Sequence, residues 1–119
     1  MTEDYPVFRK WSDTLDWILE TVEKYPKTVR FTISSRITEI SINTIELLVE
    51  AIYERYKINI LKQTNLNIEK LRVFFRISYN RKYISVRQYE YISRELNEVG
   101  AMIGGWMKQS RSERYEESK

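Results

Sequence analysis

The sequence contains no cysteine and no histidine, and only three glycines and two prolines in 119 residues. Without cysteine there are no disulfides, thiolate nucleophiles or cysteine-based zinc sites; without histidine the commonest general base and metal ligand is missing. The expectation is a protein that is not an enzyme and carries no cofactor. So few turn-forming residues disfavour a sandwich or barrel of many short strands and favour a few long helices. No apolar run approaches the roughly 18 residues of a membrane span, and Met1 to Pro6 lacks the cationic-then-apolar layout of a secretion signal. A cytoplasmic location without membrane association is therefore expected.

What is present is a soluble, globular composition, 42% apolar and 31% charged. A chain of this length forms one domain that buries about two-thirds of the surface its unfolded form exposes. Charge is unevenly placed. Residues 1–69 hold 9 basic and 11 acidic side chains, and residues 70–119 hold 11 and 6, so a net +3 conceals one half at −2 and another at +5. The stretch from Lys70 to Arg87 carries Lys70, Arg72, Arg76, Arg81, Lys82 and Arg87 and not one Asp or Glu. A one-sided positive field attracts polyanions and is the usual footprint of nucleic-acid binding, although charge runs are also common on solvated faces.

Four segments show helical periodicity. Phe8, Trp11, Leu15, Ile18 and Val22 step by 3 and 4, and Tyr25-Pro26 predicts a stop, because the residue before proline is biased out of the helical region. A second helix is expected just beyond Pro26, running to about Tyr56. Its start is rich in β-branched residues, but Ile33, Ile37, Ile40, Thr44, Leu47 and Ala51 keep the 3–4 spacing of a helix, and strict alternation fails. Asn59 reads as the N-cap of a third helix to about Tyr79, with Ile68, Leu71 and Phe75 as its seam. Ser85-Val86-Arg87-Gln88 matches a capping box and opens a fourth helix of roughly 25 residues, with Tyr89, Ile92, Leu96, Val99, Ile103 and Trp106 on its seam. Short connections between long amphipathic helices predict an all-α, antiparallel, up-down-up-down four-helix bundle over residues 1–109, with a flexible charged tail over 110–119.

Three features invite a functional reading. Gly100, Gly104 and Gly105 lie within one helix and precede Trp106. Glycine inside a helix costs about 1 kcal/mol relative to alanine, so a close contact is expected there, from another helix or from a second subunit. Arg72 and Arg76 share a stripe beside the Leu71/Phe75 seam; they could contact phosphates, with Tyr79, Tyr83, Tyr89 and Tyr91 as stacking surfaces, or form ordinary surface ion pairs with Glu69 or a neighbouring helix. Asp13, Asp16, Glu20 and Glu23 form an acidic counterpart on the first helix. A solvated face, or a stripe that meets the basic one of another subunit, is expected there rather than a metal site.

The run LRVFFRISYNRKYISVRQYEYISRELNEVGAMIGGWMK, Leu71 to Lys108, resembles the Avd-like four-helix-bundle family, the accessory variability determinants of diversity-generating retroelements. The resemblance rests on Leu71-Arg72 with Arg76, Tyr83-Ile84-Ser85 with Gln88-Tyr89, and Val99-Gly100 to Gly104-Gly105-Trp106, in that order. It implies a non-enzymatic homopentamer that binds RNA, and DNA as a second candidate. Its partner would be the retroelement's reverse transcriptase, which it would assist in mutagenic copying of template RNA. Arg72 and Arg76 would contribute to the basic surface by motif; Lys70, Arg81, Lys82 and Arg87 join it by charge. The net charge is modest for that role, which leaves a second expectation: a structural homo-oligomer of the related branch found in ribosomal RNA intervening sequences, without a nucleic-acid role.

Overall fold

The computed structural model describes the backbone of residues 2–118 and, of these, all side chains except those of residue 3 and residues 115–118. It contains four long helices: α1 (Pro6–Val22), α2 (Ser35–Tyr53), α3 (Ile58–Asn80) and α4 (Val86–Ser118), and among the described residues there is no β-strand. The helices associate side by side as a bundle, α2 against α1 and α3, and α4 against α3 and α1. Helices α1 and α4 meet through Tyr5 and Trp106, Lys10 and Glu98, and Trp17 and Tyr91, pairs whose numbers rise on one helix as they fall on the other. None of the described helices is long and apolar enough to cross a membrane.

Helix α1 starts at Pro6, where a fixed φ and a missing N–H carry no penalty, with Tyr5 extended before it. It ends at Val22, three residues before the expected stop. Lys24 and Tyr25 then donate to the carbonyls of Thr21 and Val22, i→i−3 bonds that tighten the last turn ahead of Pro26. The β-branched stretch is helical but not regular: a 3₁₀ turn over Lys27–Val29 and a π turn over Arg30–Ser34 precede α2. Asn59 is not the cap of α3. The helix begins two residues earlier than that cap implies, with Lys57 at the N-cap position and no side-chain cap, and Leu61 donates to the Lys57 carbonyl at 2.9 Å. Leu61, in the first turn, is fully buried.

The core joins Trp11 and Ile18 of α1, Ile37 and Leu48 of α2, Ile68, Leu71 and Phe75 of α3, and Ile92, Leu96, Val99 and Ile103 of α4. The seam of α2 runs through Leu48 rather than the expected Leu47, and in α1 Phe8 and Leu15 sit at its margin, half-buried. Many polar groups within this core are satisfied, although the hydroxyls of Tyr25, Ser41 and Ser110 are buried without a hydrogen-bond partner among the described residues. The hydroxyls of Thr14, Thr44, Thr64 and Ser78 donate to carbonyls four residues back on their own helices. Trp11 Nε1 donates to the Ser41 carbonyl at 3.1 Å, and buried Asn67 donates to Asn43 Oδ1 at 2.8 Å and Thr44 Oγ1 at 3.2 Å. A slip of one helix past another would leave these donors unpaired in an apolar interior, so they favour one register.

Helix α4 is longer than expected, 33 residues or about 50 Å. The expected tail over 110–119 begins as a continuation of this helix, in which Ser110 is buried; its remainder falls largely on side chains outside the described residues.

Candidate nucleic-acid interface

The connection from α3 to α4 is closed at both ends by hydrogen bonds. At the end of α3, Tyr83 N donates to the Ser78 carbonyl at 2.8 Å and Lys82 N to the Tyr79 carbonyl at 3.0 Å. This 6→1 and 5→2 pair is the Schellman motif, and it puts Lys82 in the left-handed region at φ 64°, where glycine is usual. At the start of α4 the capping box forms as its sequence predicts: Ser85 N donates to Gln88 Oε1 at 2.8 Å, and Gln88 N to Ser85 Oγ at 3.1 Å. Arg81 and Lys82 are thereby held outward on the corner, with Arg87 in the first turn of α4.

The six cations of the Lys70–Arg87 run divide by what they touch. Lys70, Arg76, Arg81, Lys82 and Arg87 are exposed. Arg72 is not free: its Nε donates to Glu69 Oε1 at 3.0 Å, its Nη1 donates to Asn97 Oδ1 on α4, and its side chain is only 33% exposed. A Cβ at Gly100 would lie 3.5 Å from the same guanidinium. The arginine of helix three and the first glycine of helix four are thus parts of one clasp between α3 and α4. Arg81 Nε reaches the Tyr83 hydroxyl at 3.4 Å, which holds the guanidinium above its ordinary pKa.

The tyrosines nominated as stacking surfaces are occupied within the bundle. Tyr79 and Tyr89 stack on each other at 4.8 Å, Tyr91 packs on Trp17 at 4.9 Å, and Tyr83 packs on Tyr25 at 5.3 Å. Tyr25 is buried, and burial pushes its hydroxyl up to about 12. The Tyr25–Tyr83 contact shows something the charge pattern of residues 70–87 did not: the α1–α2 connection lies at the same end of the molecule as the α3–α4 turn. Lys24, Lys27, Arg30 and Arg36 belong to that connection and its continuation, and residues 24–38 contain no Asp or Glu. The signal was available as a second acid-free run, diluted by the acidic composition of the first half.

The glycine cluster divides within the chain. Among the described residues only Gly100 has a neighbour; a Cβ at Gly104 or Gly105 would meet nothing within 4 Å, so no described side chain packs on the backbone there. Trp106 is half-buried, with Tyr5 at 5.3 Å and Lys57 Nζ 5.3 Å from its ring centroid. On the acidic side, Asp13, Asp16, Glu20 and Glu23 are exposed on or just beyond α1. Lys10 of α1 bridges Glu95 and Glu98 of α4 at 2.6 Å each; these hydrogen bonds raise the lysine's pKa, and the lysine lowers that of Glu98. Among the described residues no three His, Cys, Asp or Glu side chains gather where a metal could be held.

No curated protein matches the chain. A family model described as bAvd-like matches residues 7–110, a span that takes in the four helices from the first turn of α1 to Ser110 of α4. The chain belongs to the bAvd-like family.

Proposed function

We propose that the protein is a non-enzymatic, nucleic-acid-binding accessory factor of a diversity-generating retroelement, which assists the reverse transcriptase in mutagenic copying of template RNA. Family membership supports the accessory role. The observation that carries the binding role is the outward, acid-free corner formed by Arg76, Arg81, Lys82 and Arg87. RNA is the first ligand and DNA the second, and the reverse transcriptase is the protein partner, in the cytoplasm. Each phosphate neutralised by a lysine or arginine releases a counterion, so binding should weaken steeply with salt. The variant Arg76→Ala with Arg87→Ala should weaken RNA binding and flatten the salt dependence by about two phosphate contacts. No RNA binding at low salt, or an unchanged slope in the double variant, removes the nucleic-acid role. Arg72→Ala is the control for structure, because its guanidinium is spent on Glu69 and Asn97. Co-purification with the reverse transcriptase tests the partner.

A second reading is favoured by the open backbone at Gly104 and Gly105. In a homo-oligomer, a pentamer by family resemblance, another subunit would press against this face. Without such a contact, Gly104→Ala with Gly105→Ala should stabilise an isolated helix by about 1–2 kcal/mol. Loss of assembly mass in sedimentation by the same variant would instead place the glycines in a subunit contact.

A further inference from the structure

The 3₁₀ and π turns between α1 and α2 shape an open groove of about 630 Å³. Leu19, Val22 and Pro26 contribute its apolar lining, Lys27 and Arg30 its cations, and Phe31 an aromatic face. Phe31 is 87% exposed, the most exposed large apolar side chain among the described residues. A phenyl ring this open to water, at the mouth of a partly apolar groove and beside two cations, offers a face that a ligand can cover. Two carboxylates also line the groove. Glu39 is engaged by Arg36 at 3.3 Å and accepts from Ser35 at 3.1 Å, so Glu23 is the remaining acid.

An aromatic face beside an apolar floor suits a planar apolar group, and the cations beside it suit a group whose neighbours are anionic. The groove adjoins the basic turn through Tyr25, which lines it. The Tyr25 ring contacts Tyr83, and the Tyr83 hydroxyl accepts from Arg81, so Lys27 and Arg30 lie at the same end of the molecule as Arg81 and Lys82. Stacking on a side chain requires a base that is not paired, and the neighbouring tyrosines are already packed on other rings.

We propose that this groove receives an unpaired base of single-stranded nucleic acid stacked on Phe31, with the flanking phosphates on Lys27 and Arg30 and the strand continuing to Arg81 and Lys82. The inference rests on the nucleic-acid reading above and adds to it a strand preference and a second loop. RNA and DNA share the chemistry used here, so both are tested.

The experiment measures binding of the full chain to a labelled oligouridylate, an oligothymidylate and a duplex RNA by fluorescence anisotropy over a salt series. Phe31→Ala should weaken both single strands about 5- to 100-fold and the duplex less than about two-fold, with the salt slope unchanged. Phe31→Trp should restore binding. Lys27→Gln with Arg30→Gln should weaken every ligand and lower the single-strand slope by about 1.4. Glu23→Gln should tighten binding by removing a like charge beside the phosphates. Circular dichroism checks that each variant is folded, which the exposure of Phe31 favours. A silent Phe31→Ala, or equal losses on single strand and duplex, overturns the inference. So does self-association abolished by Phe31→Ala with single-strand binding intact, which would assign the groove to a second copy. If Phe31→Ala is silent while Arg76→Ala with Arg87→Ala weakens RNA binding, only the groove is wrong; if the wild-type chain binds none of the three ligands at low salt, both readings fall.

Discussion

Between α3 and α4 the chain reverses over residues 81–85, closed by a Schellman motif on one side and a capping box on the other. Between α1 and α2, at the same end of the molecule, it takes residues 23–34 and passes through a 3₁₀ and a π turn without a side-chain cap on either. The first corner presents Arg81 and Lys82 on a backbone held by hydrogen bonds, whereas the second presents Lys27, Arg30 and Phe31 on one held mainly by its own helical turns. Positive charge can therefore be displayed at one end of a bundle by two backbone devices of different construction. In the proposed complex the capped corner would hold phosphates and the uncapped one would take the base.

The largest effect expected from breaking this comparison is at Tyr83, which joins the two corners. Tyr83→Ala removes the Tyr25 ring contact and the acceptor of Arg81, and should cost about 2–3 kcal/mol in urea unfolding, with faster amide exchange in residues 23–34. Exchange that accelerates only in residues 81–85 would show the corners to be independent. Next comes Ser85→Ala, which removes half the capping box and should destabilise by about 1 kcal/mol. Ser34→Ala, at the N-cap position of α2 where no side-chain cap bond forms, should stay within about 0.5 kcal/mol. Equal losses at the two serines would erase the distinction between the corners.

Lys82→Gly relieves a left-handed backbone and should stabilise by about 0.5–1 kcal/mol while weakening RNA binding through the lost charge. A gain in both would remove Lys82 from the interface. The smallest effect lies away from both corners, at the Lys10 bridge. The folded pKa of Glu98 is lowered, so its contribution is complete above the ordinary 4.5 and fades as pH falls through the lowered folded value. That of Lys10 is raised, so its contribution is complete below the ordinary 10.5 and fades as pH rises through the raised value. Lys10→Met should flatten both limbs of a thermal-midpoint titration and leave RNA binding unchanged.

The helices were legible because their apolar residues recur at 3 and 4, a spacing that holds through the β-branched Ile37, Ile40 and Thr44 of α2. The capping box was legible because its donors and acceptors lie three residues apart in sequence. The Schellman turn was not, since its usual marker is glycine and the chain uses lysine there. The cap at Asn59 was misread because the helix starts two residues earlier, at a position where no side-chain cap forms. Arg72 and Gly100 each carried a visible signal, but only the approach of α3 and α4 shows that the two answer each other. The Phe31 groove was hidden for another reason. The expected up-down-up-down order already puts the two connections at one end, but the 3₁₀ and π turns that leave Phe31 exposed carry no marker in the sequence.

The molecule measures 55 × 22 × 21 Å, and α4 runs along most of its length. Such a body turns about its long axis faster than end over end, so NMR relaxation of amides along the helices reports the two motions separately. A strand laid across the narrow end formed by the two corners would chiefly widen the rod and slow its spin about the long axis. One laid along the acidic flank of α1 would change that spin differently, and the ratio of the two tumbling times would tell the orientations apart before any atomic view of the complex.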